Sequence, residues 1–189
     1  MNKIITNSTK VSKRGFTLVE LLVVIGILAI LTAAVVVVLN PAELLRQSRD
    51  AQRLSDFDAI RSSISLYLST AITPTFQATE CNYMNTGCFN MTTASSANSS
   101  TLVDGTGWVA VNFTELAAAE VGLGSPLSAL PTDPVNNAAY HYAASFNATN
   151  KYYELNSVLE SAKYSGKMSI DGGNSSTTYE VGNKSGLYL

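Results

Sequence analysis

The sequence predicts an α+β fold, with a long N-terminal helix in two halves packed on a small antiparallel β-sheet of three or four strands. Three observations carry this expectation. An apolar run fills Phe16–Leu39, an amphipathic pattern with steps of three and four follows to Ala71, and the last third alternates aromatic and polar residues between turn signals. The 189 residues suit one domain plus an N-terminal extension.

The apolar run is 24 residues long, broken only by Thr17, Glu20, Gly26 and Thr32. As a helix it spans roughly 36 Å, enough for a bilayer core of about 30 Å. A secretory signal peptide is the rival reading. Its apolar stretch is usually about 7–15 residues, and here Asn40-Pro41 follows directly, with no small-x-small cleavage site. The first 15 residues hold Lys3, Lys10, Lys13 and Arg14 and no acid. From Ser62 to the C-terminus, four bases stand against nine acids. A basic start and an acidic remainder fit a chain whose N-terminus stays cytoplasmic and whose bulk is exported. The acidic remainder offers no footprint for nucleic acid.

Glu20 is the one charge in the apolar run. A charged side chain at such depth costs a few kcal/mol, and ionisable groups inside membranes are functional candidates by default. The run contains no cation to pair with it. Cleavage after Gly15 would create one, the α-amino group of Phe16, four residues from Glu20 and one helical turn away.

The string Lys13-Arg14-Gly15-Phe16-Thr17-Leu18-Val19-Glu20, followed by the apolar run, resembles the prepilin cleavage and methylation segment of bacterial type IV pilins and type II secretion pseudopilins. The resemblance implies cleavage between Gly15 and Phe16 by a prepilin peptidase. It also implies N-methylation of Phe16 and pairing of Glu20 with the Phe16 amine of an adjacent subunit. Its implied partners are identical or homologous pilin subunits and an inner-membrane assembly machinery. The implied location is the bacterial inner membrane, spanned once, and then an extracytoplasmic filament.

Pro41 falls in a pattern that otherwise stays helical. It predicts either a kink near Asn40 or a stop with Pro41 opening a second helix at its first turn. The second helix carries Glu43, Arg46, Arg49, Asp50, Arg53, Asp56, Asp58 and Arg61, four acids and four bases. This neutral collar suits contacts between subunits or a solvated face. Leu54, Phe57, Ile60, Ile64, Tyr67 and Ala71 form one apolar stripe facing the predicted sheet.

Residues 78–106 read as a long irregular connection. It contains Cys81 and Cys88, which an oxidising compartment would allow to form a small-loop disulfide; two free thiols are the alternative. It also contains a Ser/Thr/Asn/Ala-rich tract at residues 92–101. Trp108–Phe113 reads as a short strand, Thr114–Val121 as a short helix, and Ser125–Leu130 as a helical turn capped by Ser125. Strands are expected at Ala139–Phe146, Lys151–Leu159 and Thr177–Val181. The resulting division is a leader over 1–15, a membrane and polymerisation helix over 16–39, an amphipathic half over 40–71, a variable loop region over 72–107 and a β-sheet head over 108–189.

The Pro131-Thr132-Asp133-Pro134 turn leading into Tyr140-His141-Tyr142, with the late Asp171-Gly172-Gly173-Asn174 loop, is similar to the C-terminal region of major pseudopilins of the G class. Some members of that class bind calcium in the late loop, and the resemblance makes Asp171 and Asn174, with Asp133, calcium candidates. Three scattered oxygen donors are few for a cation that takes six to eight, and a plain turn is the competing reading. No other cofactor is expected. The single histidine, His141, sits between two tyrosines in an expected strand, and no nucleophile–base–acid arrangement accompanies it, so an enzyme is not expected. The leading function is a structural filament subunit. A minor pilin, or a membrane-anchored adhesin or uptake module, is the alternative.

Overall fold

A computed structural model describes residues 15–76, 81–83, 95–117 and 122–184. It divides into two units, one ending at Pro41 and one starting at Ala42.

The first unit is helix α1, Leu18–Leu39, exposed along its whole length. It is long and apolar enough to cross a membrane. Its one interior hydroxyl is satisfied locally, Thr32 Oγ1 donating to Leu28 O at 2.7 Å. The helix stops at Asn40, which takes a left-handed conformation (φ 40°, ψ 72°). The ring of Pro41 disfavours the α region for the preceding residue, and Asn is among the few residues that visit the left-handed region readily. Pro41 then opens helix α2, Pro41–Thr70. Of the two alternatives left by the sequence, the backbone shows a stop and restart.

The second unit is built on α2. Phe57, Ile60, Ile64 and Tyr67 of the predicted stripe are fully buried, and they join Trp108, Phe113, Tyr142, Phe146, Tyr153 and Leu155 in one core. The sheet, which contributes Phe146, Tyr153 and Leu155, has three antiparallel strands at its centre and one edge, β3 (Ala143–Asn147), β4 (Tyr152–Ser157) and β5 (Tyr179–Gly182). The register pairs Phe146 with Tyr153 and Leu155 with Val181. Asn147 Oδ1 closes the β3–β4 turn by accepting from Asn150 N at 2.9 Å. Two three-residue strands, β1 (Cys81–Tyr83) and β2 (Ser95–Ala97), extend the sheet to the order β2-β1-β3-β4-β5, with β1 and β2 parallel. The region read as an irregular connection therefore supplies two strands of the sheet.

Two further expectations are corrected. Trp108–Val111 and Phe113 are buried, but Trp108–Phe113 is no strand. Val111 N donates to Val109 O at 2.8 Å, a tight three-residue turn that interrupts extension. Only single bridges remain, Val111 to Phe76 and Asn112 to Asp104. Ser125 does not cap a helix, because its hydroxyl donates to Leu127 O at 2.6 Å and no helix forms there. The expected helix after Thr114 is a 3₁₀ turn at Phe113–Ala117, and residues 118–121 lie outside the described part.

Candidate processing and assembly site

Glu20 sits in the first turn of α1, where its carboxylate has a partner the sequence reading overlooked. Thr17 is the N-cap. Glu20 N donates to Thr17 Oγ1 at 3.2 Å, and Thr17 N donates back to Glu20 Oε2 at 3.4 Å. This reciprocal capping box satisfies two of the free amide donors at a helix start. Its signature, Thr17-x-x-Glu20 before an apolar run, was legible in the sequence. The helix dipole adds to it, since negative charge is favoured at the N-terminus. Phe16 precedes the cap, 78% exposed, and Gly15 is exposed beside it. In the unprocessed chain the Phe16 nitrogen is a peptide nitrogen without charge, so Glu20 and Phe16 do not form an ion pair within this chain.

The charged collar of α2 is solvated only in part: Arg46, Asp58 and Arg61 are exposed, and Glu43, Arg49 and Asp56 are half-buried. Asp50 and Arg53 are fully buried. They continue the stripe of Phe57, Ile60 and Ile64 toward the helix start at the same spacing. Arg53 donates to Asp133 through Nε (2.6 Å) and Nη2 (3.0 Å), and through Nη1 to Asp50 (2.8 Å) and Glu160 (2.7 Å). Arg49 adds a bidentate pair to Glu160 at 2.7 and 2.6 Å. Asp50 in turn accepts from Glu160 N, Ser161 N and Ser161 Oγ. Hydrogen bonds from Arg49 hold the Glu160 carboxyl below its usual range, with Arg53 acting in the same direction. The network fastens the segment after β4 to the first half of α2.

This arrangement also settles what surrounds Asp133. Besides Arg53, its Oδ1 accepts from Val135 N and Asn136 N at 2.8 and 3.0 Å. Asp171 lies in another setting, accepting from Gly173 N at 3.0 Å and Glu180 N at 2.8 Å, with Asn174 in the same loop. Among the described residues no group of three or more acidic, histidine or cysteine side chains is arranged to hold a metal ion. His141 is buried just before β3, its Nδ1 3.2 Å from Asn137 O. Cys81 lies in β1, and Cys88 lies outside the described residues, as does the expected disulfide.

A comparison with protein families finds the prokaryotic N-terminal methylation motif at residues 10–36, a span that contains Gly15, Phe16, Thr17 and Glu20. Comparisons with curated proteins and with solved structures find no match.

Proposed function

We propose that this chain, a type IV pilin-like protein by its methylation motif and adjoining apolar helix, is a structural subunit of a helical filament assembled from the bacterial inner membrane. Proteins of this kind are membrane-anchored through one N-terminal helix, are processed by prepilin peptidase, and are structural rather than catalytic. In the proposed sequence of events the peptidase cuts between Gly15 and Phe16, and the new Phe16 amine is methylated. Mature chains then associate through α1 with identical or homologous subunits, driven by the inner-membrane assembly machinery.

One observation carries the reading: a carboxylate in the first turn of an otherwise apolar, fully exposed helix. A charged side chain within a membrane helix is costly, most of all at its centre. The capping box and dipole favour the Glu20 carboxylate at the helix start but leave its net charge uncompensated, and a cation would neutralise it. The Phe16 amine of a neighbouring mature subunit supplies that cation.

The test is substitution of Glu20 by Ala and by Gln, followed by purification of filaments from cells expressing each form. Loss of both variants from filaments, with processing intact by mass, supports the pairing. Normal incorporation of both would refute it. A mature chain that begins anywhere other than at a methylated Phe16 would refute the processing step.

A further inference from the structure

Among the described residues β5 ends the sheet, with β4 as its one neighbour. Tyr153, Leu155 and Val181 belong to the core packed with α2. Side chains alternate along a strand, so Glu154, Asn156 and Glu180 face the other way. That face is also closed, with Glu154 4% and Glu180 7% exposed. The register pairs Glu154 with Gly182 and Asn156 with Glu180, which sets the two glutamates on a cross-strand diagonal. Two carboxyls set on one closed face of adjacent strands cannot both ionise without strong mutual repulsion, which favours a proton on one of them.

The 171–175 segment is fastened by the same pair. Ser175 N donates to Glu180 Oε2 at 2.7 Å, and Asn174 N donates to the same carboxyl. Asp171 Oδ2 accepts from Glu180 N at 2.8 Å, which covers an amide on the free edge of β5. Gly173 passes so close that a Cβ there would lie 2.0 Å from Glu180 Oε2. The amide donors on Glu180 favour its anion, which makes Glu154 the carboxyl that keeps the proton.

We propose that Glu154 and Glu180 form a proton-dependent latch that holds the 171–175 segment over the free edge of β5 and releases it when the proton on Glu154 is lost. The proton passes to solvent and leaves two adjacent buried carboxylates, which repel. Glu180 then shifts, and its bonds to Ser175 and Asn174 break. The groups around the pair set the balance. Asp171 opposes deprotonation. Arg61 from α2 and Lys184 beyond β5 line the same cavity of about 360 Å³ and favour it. Lys167 from the 3₁₀ turn at Ser165–Ser169 and Tyr179 of β5 line the adjoining cavity with Arg61. Asn156 bonds to Glu154 and favours its anion. Burial dominates, and it pushes the Glu154 carboxyl up to about 8.

The experiment is amide hydrogen exchange, read by mass spectrometry on the full chain in detergent, across pH 6–9 and corrected for the intrinsic pH dependence of exchange. In the wild type, protection of peptides covering 171–182 should fall by about fivefold between pH 8 and pH 9, as the protonated fraction of a single group with a midpoint near 8 falls from about one half to about one eleventh. In Glu154→Gln the side-chain amide replaces the protonated carboxyl at every pH, so protection should stay flat. Wild-type protection that is constant over this range, or an equal loss in Glu154→Gln, would overturn the latch. A second readout needs no variant: ¹³C titration of the wild-type carboxyl carbons should show a glutamate with a midpoint near 8, and normal midpoints for every glutamate would overturn the proposal.

Discussion

Replacing Arg53 with methionine should destabilise the head more than most single changes, because it strands charge without opening a large cavity. The guanidinium donates four hydrogen bonds to three carboxylates, and the Arg53 side chain is fully buried. Methionine fills much of the same space but donates nothing. The loss is unevenly distributed. Glu160 keeps its bidentate Arg49, and Asp50 keeps Glu160 N, Ser161 N and Ser161 Oγ. Asp133 keeps Val135 N and Asn136 N, both on Oδ1, and its Oδ2 loses Arg53 Nε. Removing one partner of a buried pair typically costs about 3–5 kcal/mol. The donors remaining on Asp50 and Glu160 argue for the lower end, about 3 kcal/mol. With urea slopes of about 1–3 kcal/mol per molar, this shifts the unfolding midpoint by about 1–3 M. The assay is built in: Trp108, the single tryptophan, is fully buried and donates to Pro131 O at 3.0 Å, so its fluorescence reports head unfolding in the detergent-solubilised chain. Arg53→Met with Asp133→Asn should recover part of the loss, because the stranded anion becomes neutral. A cost under about 1 kcal/mol for Arg53→Met, or a double variant no better than the single one, would refute the reasoning.

The head should be most stable in mildly acidic solution. Glu160 is lowered by its arginine bonds, so the stability it contributes is present above its unfolded value and is lost as pH falls through its folded value. Glu154 is raised by burial to about 8, so its contribution is present below about 4.5 and is lost as pH rises toward 8. A thermal midpoint that climbs steadily from pH 5 to pH 8 would contradict this. Separately, Gly107→Ala should destabilise the head by about 1–3 kcal/mol, because its Cβ would lie 2.1 Å from Leu102 O and 2.6 Å from Leu130 Cδ1. Urea unfolding followed by Trp108 measures the effect, and an unchanged midpoint would show that the close approach relaxes at no cost.

What the sequence made legible was local or periodic. The stripe of α2 and the alternation of β3, β4 and β5 repeat often enough to show which side chains of helix and sheet face each other. The membrane-length run and Glu20 stand out by contrast with their surroundings. Strands β1 and β2 have three residues each, too few for a period of two to show. Trp108–Phe113 misled because burial and extension are separate properties: four residues, Trp108–Val111, are buried in a turn rather than a ladder. The buried charge network was hidden for a different reason. Arg53 meets Asp133 across 80 positions and Glu160 across 107. No local pattern links such partners. The visible clue was that Asp50 and Arg53 extend the apolar stripe, which placed two charges on the face turned toward the core.

Three acidic sites in this chain face the same difficulty, a carboxylate away from bulk water, and each is met by a different source of positive charge. At Asp50, Asp133 and Glu160 the source is arginine, which stays charged under all ordinary conditions; that site is therefore suited to permanent fastening. At Glu154 and Glu180 it is a proton, which exchanges with solvent, so the attachment of 171–175 depends on pH in a way the arginine network does not. At Glu20 it is, within the unprocessed chain, only the amides and dipole at the start of α1, which carry no full positive charge. That missing charge is what a covalent event can supply. Cleavage before Phe16 would add a full positive charge one helical turn from the carboxylate, and association would bring the same charge from a neighbour. Of the three sites, only Glu20 is incomplete in the single chain, and it is the one that lies in the segment proposed for assembly.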